Sequence, residues 1–330
     1  MSKTVLIVGG AGYIGSHTTL ALKEAGFRTV VYDNFSSGHR DACFGDVLVE
    51  GGLADTALLT RTLEDHGVDA VVHFAALIEA GQSVLTPLPF FENNVGGTLS
   101  LLNAMNAAGV SRLVFSSTAA VYGNRTDVEL LDEALTRAPI NPYGDSKAMV
   151  EAILESCVAP HGLRAIALRY FNACGADAQG RTGERHDPET HLIPLVIQAA
   201  QGTRASIAIN GTDYDTPDGT CVRDYIHVSD LASGHVAAVT HVLSQQEPGV
   251  QPINLGTGAG QSVRQVVDAV KGISGVAFEV TEGPRRAGDP ATLIADVTRA
   301  REILGWRARH SDLETIVRDA WVFAEGQRGG

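Results

Sequence analysis

The chain has 330 residues, of which 44% are hydrophobic and 19% charged, so it can bury a sizeable core in one large or two modest domains. Its formal net charge of −13 argues against binding to nucleic acid or an anionic membrane, and an anionic ligand would need locally placed arginines. No apolar stretch is long enough to cross a bilayer, and four widely spaced cysteines form no CxxC pair. These features predict a cytoplasmic protein with reduced thiols.

The first half of the chain alternates short β-branched apolar runs with longer segments of helical period. The strand-like runs lie at 4–8, 29–33, 69–76, 112–118 and 164–170. Helix candidates lie between them, around 15–25, 56–66, 93–108 and 143–160. This alternation is typical of βαβ units. We therefore predict an α/β fold with a Rossmann-type, doubly wound parallel sheet and helices on both faces.

The second half reads differently, beginning with a polar, glycine-containing stretch at 175–189. After it the strands and helices become less regular, and the loops are richer in Asp, Gly and Pro. We predict a domain boundary there. A Rossmann domain would cover residues 1–175, and a smaller mixed α/β domain for the substrate would cover 176–330, with some of its segments returning to the first sheet.

A glycine-rich turn, GGAGYIG at 9–15, follows the first predicted strand. It fits GxxGxxG through Gly9, Gly12 and Gly15 and opens a helix, whose unpaired amides and dipole can hold a pyrophosphate. Asp33 ends the second strand, where a carboxylate can bond both ribose hydroxyls and repel a 2′-phosphate. We therefore predict a site for NAD rather than NADP. The alternative is a turn that serves packing only.

Tyr143 and Lys147 lie one helical turn apart, so their side chains share one face. The chain has seven tyrosines and only four lysines, and no other tyrosine has a lysine four residues later. A nearby ammonium and a positive nicotinamide could lower a phenol pKa from about 10 toward about 7. Thr118 ends a predicted strand, where its hydroxyl could bond the same substrate oxygen. The set predicts proton transfer; the alternative is three unrelated residues.

Other catalytic classes lack their core motifs. The sequence contains no GxSxG elbow, no GxxxxGK[ST] phosphate loop and no HExxH pair, which argues against serine hydrolase, P-loop and zincin chemistry. Its eleven histidines show no pair at a recognised metal-ligand spacing. We therefore expect most of them to be surface or packing residues, and we predict no metal.

Together these residues resemble the extended short-chain dehydrogenase/reductase family, in its NAD-dependent epimerase/dehydratase group, over nearly the whole chain. The resemblance rests on GGAGYIGSH, YDN, HFAA, ENNVGGTL, FSSTAAVYG, NPYGDSK, LRYFNACGA, HLIP, DGTCVRDYIHVSDLA, NLGTG and PRRAGD. It implies NAD contacts from Gly9, Gly12, Tyr13, Ile14, Gly15, Asp33, Asn34, Phe74, Ala75, Asn93, Tyr143, Lys147 and Phe171. It implies nucleotide-sugar contacts from Thr118, Asn172, His191, Leu192, Arg223, Arg286, Asp289 and Leu293.

The resemblance further implies C4 epimerisation of a UDP-sugar, with UDP-galactose and UDP-glucose as the main pair. Tyr143 would remove the hydroxyl proton, and Lys147 would keep the phenolate ionised, while a hydride passes to NAD and returns to the other face of the sugar. A homodimer formed through a helix bundle is also implied. The alternatives are a 4-epimerase of UDP-N-acetylglucosamine or a UDP-pentose, a net NAD-dependent oxidoreductase, and a non-catalytic sensor on the same fold.

Five positions depart from the pattern of relatives. Ala119 and Ala120 stand where related dehydratases carry Asp-Glu, which argues against elimination of water. Gly52 replaces an aspartate that contacts adenine, and Ile78 replaces a lysine near the cofactor in some relatives. Leu293 stands where some epimerases have a bulky tyrosine. The smaller leucine leaves room for an N-acetylated sugar.

The two arginines in the predicted substrate site have an independent physical rationale. A protein of net charge −13 must meet a diphosphate with directed cations, and arginine can hold phosphate oxygens bidentately. Arg223 and Arg286 are the predicted pair. The alternative is a role in surface solubility, or pairing with the neighbouring Asp224 and Asp289.

Overall fold

The computed structural model describes residues 2–286 and 289–328. The strands are β1 Thr4–Val8, β2 Arg28–Asp33, β3 Val47–Glu50, β4 Ala70–His73, β5 Arg112–Thr118, β6 Arg164–Tyr170, β7 Asn172–Cys174, β8 Ser206–Asn210, β9 Val222–Arg223, β10 Tyr225–His227, β11 Gly249–Leu255, β12 Gln261–Ser262, β13 Glu279–Gly283 and β14 Thr292–Leu293. The helices are α1 Tyr13–Glu24, α2 Thr56–Asp65, α3 Ala80–Leu85, α4 Pro87–Phe90, α5 Gly97–Ala107, α6 Pro142–Ser156, α7 Val158–His161, α8 Leu192–Ala200, α9 Val228–Ser244, α10 Val263–Ser274, α11 Thr298–Leu304 and α12 Leu313–Arg328. A π-helical turn spans Phe91–Gly96, and 3-10 turns span Arg40–Ala42 and Ala119–Tyr122.

The main sheet has seven strands in the order β11-β6-β5-β4-β1-β2-β3, and every neighbouring pair is parallel. The prediction of a Rossmann-type, doubly wound α/β fold is confirmed. Strand β3 was not predicted, because its alternating burial at the sheet edge gives the four residues of 47–50 only a weak signal. Strand β11 lies beyond the predicted boundary and pairs along its whole length with β6.

Helices cover both faces of this sheet, as predicted. On one face, α2, α5 and α6 supply apolar side chains such as Leu59, Leu101 and Leu154. On the other face, α1 and α9 supply Leu22 and Val239, which pack against inward residues of β1, β4, β5 and β6. Because both faces are buried, the central strands read as continuous apolar runs.

A separate apolar cluster holds the elements of the second half together. Helix α8 contributes Ile193 and Val196, α10 contributes Val267, and α12 contributes Ile316 and Val317. The parallel pair β8 and β13 closes this cluster on another side. Two small sheets, β12-β9-β14 and β10-β7, bring further second-half segments into contact with one another and with the end of β6.

The strand order reverses between β1 and β4, and this switch point decides where a ligand can bind. Helices leaving neighbouring strands on opposite faces open a crevice at the carboxyl ends of the strands. The loops after β1, β4, β5 and β6 therefore meet at one edge. In the described part of the chain, none of the helices combines the length and apolar character needed to span a bilayer.

Candidate active site

The glycine-rich turn after β1 has two packing glycines and one open one. A Cβ on Gly9, whose φ is +83°, would lie 2.6 Å from the backbone nitrogen of Ala75, and one on Gly15 would lie 2.1 Å from the carbonyl oxygen of Gly9. A Cβ on Gly12 would meet only that carbonyl oxygen, at 3.4 Å. Packing explains two of the three glycines, whereas the outer side of Gly12 is free for a phosphate to approach the backbone.

Asp33 is buried beside this turn. One carboxylate oxygen accepts a hydrogen bond from the amide of Ala11 at 2.9 Å, and the other accepts one from the amide of Phe35 at 2.8 Å. Each carboxylate oxygen has a further lone pair, so the group can still accept two ribose hydroxyls. Asn34 is exposed, and its side-chain oxygen accepts from the amide of Ser36 at 3.0 Å.

Lys147 is the second group that fits a dinucleotide. Its side chain is buried at 2% exposure, and its ammonium donates one hydrogen bond, to the carbonyl oxygen of Ser116 at 2.8 Å. The ammonium also lies 4.9 Å from the centre of the Phe115 ring. Burial lowers the pKa of Lys147 to about 7. The buried ammonium has three N–H donors, and only one of them is taken up by the Ser116 carbonyl. The other two can donate to the hydroxyl oxygens of a ribose, so the residues present fit NAD.

Tyr143 and Thr118 come together from the start of α6 and the end of β5. Asn141 caps α6 by accepting from the amide of Gly144 at 2.9 Å, and the helix begins at Pro142, so Tyr143 lies in its first turn. The hydroxyl of Thr118 lies close enough to the Tyr143 phenol to lower its pKa. The two hydroxyls can therefore address a single substrate oxygen.

The pKa of Tyr143 shows what the protein groups alone contribute to the expected shift. Burial raises the pKa of the phenol, the nearby Thr118 hydroxyl lowers it, and the nearby Glu79 carboxylate raises it, with a net shift upward. The expected drop toward neutrality does not come from the protein alone, since the Lys147 ammonium is held by Ser116. A positive charge on a bound nicotinamide is the group that could stabilise the phenolate.

A buried asparagine, which the sequence analysis missed, braces this site. Asn94, in the π-helical turn, accepts from the amide of Leu77 at 2.8 Å and donates to its carbonyl at 3.0 Å. It also donates to the hydroxyl of Ser146 on α6 at 3.0 Å, and it accepts from the predicted contact residue Asn93 at 3.0 Å. The ENN motif marked this segment, but the π-helical register decides which asparagine points inward.

The other predicted cofactor residues line the same edge. The Tyr13 hydroxyl donates a hydrogen bond to the carbonyl oxygen of Gly175 at 2.7 Å, which connects the glycine-rich turn to the loop after β7. The amides of Phe74 and Ala75 donate to Val8 at 2.8 and 3.1 Å. Two further predicted contacts are half-buried and pack against apolar clusters: Ile14 against the core under α1 and α9, and Phe171 against the cluster around the 119–122 turn.

Three predicted substrate residues meet on the β9-β14 pair. Leu293 pairs in register with Arg223, and the Arg223 guanidinium forms an ion pair with Asp289. The alternative pairing considered for Arg223 is therefore present with Asp289. It does not occur with Asp224, which is buried and accepts from the amide and hydroxyl of Thr257 at 2.9 and 2.7 Å.

The remaining predicted substrate residues lie nearby on other elements. Arg286 is exposed, and its Nε and Nη2 atoms lie 3.1 Å from the side-chain amide oxygen of Asn210 when that amide is turned toward them. Asn172 is exposed at the start of β7. Leu192 begins α8 and packs against its cluster.

His191 precedes α8, and its Nδ1 lies 2.9 Å from a carboxylate oxygen of both Glu184 and Glu189. Burial lowers the pKa of His191, but the two carboxylates outweigh it and raise that pKa to about 10. The same contacts lower the pKa of Glu184 against the opposing effect of burial. His191 therefore carries a positive charge in this arrangement.

Comparison with known proteins places this architecture in one family. The model of the NAD dependent epimerase/dehydratase family matches residues 5–256. A UDP-glucose 4-epimerase from Rhizobium leguminosarum bv. trifolii is 51% identical, over 97% of this chain and 96% of the relative. The chain belongs to the NAD-dependent epimerase/dehydratase family.

Two solved structures of this family show the same fold closely. The UDP-glucose 4-epimerase from Brucella ovis, in complex with NAD, has a TM-score of 0.94 and is 47% identical, with 98% of each chain covered. The enzyme from Bifidobacterium longum, in complex with NAD+ and UDP, has a TM-score of 0.92 and is 37% identical, covering 99% of this chain and 100% of the other. The resemblance stated from the motifs is thus confirmed.

A buried ion pair beneath the epimerase/dehydratase site also escaped the sequence analysis. Glu151 on α6 and Arg169 on β6 are 1% and 3% exposed, and their side chains lie 2.5 Å apart. Glu151 also accepts from the hydroxyl of Ser117 at 2.6 Å, next to Thr118. The pair thus connects α6 with the two strands whose ends carry the site. A charged pair on an apolar helix face has no signature in local periodicity, which is why it was missed.

Two of the departures from the family pattern have different surroundings in the structure. Nothing lies within 4 Å of a Cβ built on Gly52, whose carbonyl accepts from the Tyr32 hydroxyl at 2.9 Å. Leu293 and Phe171 both pack against the cluster of Ala119 and Tyr122, immediately after Thr118. Leu293 therefore lies close to the proton-transfer residues, which agrees with a position that limits the size of the sugar.

Proposed function

We propose that the protein is a UDP-glucose 4-epimerase, an isomerase that interconverts UDP-galactose and UDP-glucose with a retained NAD. The observation that carries the proposal is the meeting of the Thr118 and Tyr143 hydroxyls at the strand edge that also holds Asp33 and buried Lys147. The activity named for relatives of up to 51% identity supports it. A sensor would not need this donor set, so catalysis is the better reading.

The dinucleotide is held by groups that bind its unreactive parts. Asp33 would accept hydrogen bonds from the ribose hydroxyls of the adenosine half, and the open side of Gly12 would receive the pyrophosphate at the start of α1. Lys147 would donate to the other ribose with the two N–H groups that Ser116 leaves free. When bound, NAD supplies a hydride acceptor that also returns the hydride.

Proton transfer belongs to the protein. Tyr143, as phenolate, accepts the proton of the sugar 4-hydroxyl, and Thr118 donates a hydrogen bond to the same oxygen. The burial that raises the pKa of the free phenol also excludes water. A nearby positive charge is therefore weakly screened and stabilises the phenolate more strongly than it would in solvent. On the return, the Tyr143 phenol gives the proton back. Between the two steps, the 4-keto sugar rotates so that its other face is presented.

Turning the sugar requires that its anchor lie elsewhere. Arg223 and Arg286 would hold the diphosphate, and the ion pair with Asp289 pre-orients the Arg223 guanidinium. Neither arginine reaches the reacting carbon in this scheme. The nucleotide supplies the binding energy, and the hexose stays free to present either face.

The deciding experiment uses the purified protein with UDP-galactose and no added NAD. Formation of UDP-glucose, followed by nuclear magnetic resonance, is the expected result, because a cofactor regenerated in each turnover can stay bound. UDP-N-acetylgalactosamine is run in parallel to test the room left by Leu293. Absence of turnover of UDP-galactose after NAD is supplied would overturn the substrate assignment, whereas release of free NADH would indicate an oxidoreductase.

We also propose a homodimer. Exposed apolar side chains concentrate on α3, α4 and α6, which pack against one another: Val84, Leu85 and Leu88 are 61%, 76% and 76% exposed, and Met149 is 48% exposed. Apolar side chains clustered on neighbouring helices are typical of an interface. This surface agrees with the helix-bundle dimer that the family resemblance implies.

The substitution Leu88→Glu tests the dimer. It should weaken association by about 2 kcal/mol or more, because it would bury a charge in the apolar interface. Sedimentation equilibrium of the variant and the parent chain measures this. Val322→Glu on α12, also at an exposed apolar position, is the control and should leave association unchanged. If Leu88→Glu had the same dissociation constant as Val322→Glu and the parent chain, Leu88 on α4 would lie outside the dimer interface.

The predicted domain boundary and the predicted cellular compartment also remain proposals. We propose that residues 1–175 form mainly the dinucleotide domain and residues 176–330 mainly the substrate domain; the pairing of β11 with β6 agrees with a second half that returns to the first sheet. We also propose that the protein works in the cytoplasm. All four cysteines are free thiols, which suits a reducing compartment.

A further inference from the structure

Four side chains that can bind a metal converge in the loop between β7 and α8. They are the carboxylates of Glu184 and Glu189 and the imidazoles of His186 and His191. One ligand atom from each lies within 4.8 Å of all the others, and no second group of this kind occurs in residues 2–286 and 289–328. The sequence analysis found no pair of histidines at a recognised metal-ligand spacing and predicted no metal, and it did not consider the pattern E-x-H-x-x-E-x-H that these four residues form.

The ligand atoms lie near the separations of a small tetrahedral site, although none of the distances falls within that range. Nδ1 of His191 lies 2.9 Å from an oxygen of each carboxylate, and Nδ1 of His186 lies 3.1 Å from Glu184 and 3.9 Å from Glu189. Tetrahedral zinc, with bonds of about 2.0–2.2 Å, sets its ligand atoms about 3.3–3.6 Å apart. The observed distances lie on both sides of that range.

The surroundings hold the carboxylates in place. The side chains of Glu184 and Glu189 are 6% and 7% exposed, so their two charges need positive charge beside them. Protonated His191 supplies one such charge, and a divalent cation that replaced its Nδ1 proton would supply two. The amides of Thr190 and His191 donate to one oxygen of Glu189 at 2.7 and 2.8 Å. Outer hydrogen bonds of this kind orient the ligands of metal sites.

The loop that carries the cluster is also anchored to the first half of the chain. The Arg185 guanidinium forms two hydrogen bonds with Asp41, each 2.8 Å long, and its carbonyl lies 3.1 Å from Nε2 of His39. The His186 ring packs edge-on against Tyr13 of the glycine-rich turn, with ring centres 6.1 Å apart. An ion held here would therefore connect the segment before α8 to the dinucleotide turn.

We propose that these four side chains bind one divalent transition-metal ion. Two imidazole nitrogens and two carboxylate oxygens suit Zn²⁺ best among the common ions, because Mg²⁺ and Ca²⁺ prefer six or more oxygen ligands. All four positions would come from the protein, so the ion is structural. It would position His191 and Leu192 at the start of α8. It takes no part in proton transfer at Tyr143.

The test measures metal content rather than activity. Full-length protein without a polyhistidine tag is treated with chelator, supplied with zinc chloride, passed through a desalting column and analysed by mass spectrometry for zinc. We expect about one zinc ion per chain. His186→Gln and Glu189→Gln should each weaken zinc binding at least about tenfold. His161→Gln, at an exposed histidine outside the cluster, is the matched control and should bind zinc like the parent chain.

Substitution by cobalt keeps the test independent of variants that fold poorly. Co²⁺ in the unmodified chain should give the intense visible absorption of a tetrahedral N/O site, and zinc chloride should abolish it by displacement. Absence of bound zinc and of this absorption in the unmodified chain would overturn the proposal, and a charged His–Glu cluster without a metal would then explain the geometry. Full zinc binding by both variants would also overturn it.

Discussion

Replacing Tyr143 with phenylalanine should lower kcat for UDP-galactose epimerisation by about 10²–10⁴-fold, the usual contribution of a positioned general base. The phenol is the group that lies against the Thr118 hydroxyl, and phenylalanine fills nearly the same space without an oxygen to take the proton. Binding of UDP should be unchanged, because the proposed anchors, Arg223 and Arg286, lie on other elements. Steady-state kinetics and titration with UDP measure the two effects separately.

A matched control removes the same oxygen from a tyrosine outside the proton-transfer set. The Tyr214 ring packs against the guanidinium of Arg285 at 4.2 Å, and Tyr214→Phe preserves that contact. Its kcat should stay within about threefold of the parent, a change of less than about 1 kcal/mol in the barrier. If Tyr143→Phe were as active as Tyr214→Phe, another group would have to take the proton.

Replacing Glu151 with glutamine should lower the free energy of unfolding by about 3–5 kcal/mol, because it leaves the Arg169 charge buried without a compensating carboxylate. The neutral amide also cannot accept from Ser117 and from both nitrogens of Arg169 as the carboxylate does. Arg169 cannot escape by losing its proton, because a guanidinium stays protonated in proteins even when it is buried. Urea unfolding followed by circular dichroism measures the loss.

Glu155 offers the control on the same helix. It pairs with Arg137 at 3.1 Å, but its side chain is half exposed, so Glu155→Gln should cost less than about 1 kcal/mol. A Glu151→Gln variant as stable as Glu155→Gln would show that the buried pair is not a major determinant of stability. The comparison separates burial from charge, because both substitutions remove one carboxylate from α6.

Much of the first half could be predicted because its elements have strong local signals. Strands β1, β5 and β6 begin and end where the apolar runs do, and α2 begins at Thr56, as predicted. Asp55 caps that helix by accepting from the amide of Leu58 at 2.9 Å. Strands buried on both faces and helices with caps are encoded by neighbouring residues. The edge strand β3 has only a weak local signal, because its residues alternate between half-buried and exposed, and it was missed.

The candidate site also has residues that a local sequence signal reveals and residues that no local signal reveals. Tyr143 and Lys147 share a helix face by their spacing alone, and the end of β5 brings Thr118 to the edge where ligands bind. By contrast, Arg223 and Asp289 are 66 positions apart and meet only because β14 pairs with β9. The inward turn of Asn94 depends on a π-helical register. Neither feature has a local signal in the sequence.

The sequence by itself determined the fold class and the family through motifs along the whole chain. It also predicted the dinucleotide turn and the shared helix face of Tyr143 and Lys147, because each depends on residues close together in one turn or helix. The tertiary structure decided what depends on burial and on distant partners. Burial raised the pKa of the Tyr143 phenol, and the fold placed the Glu151–Arg169 pair under the site and gathered two histidines and two glutamates beside Tyr13. Desolvation and long-range contacts act through space, so they appear only after the chain has folded.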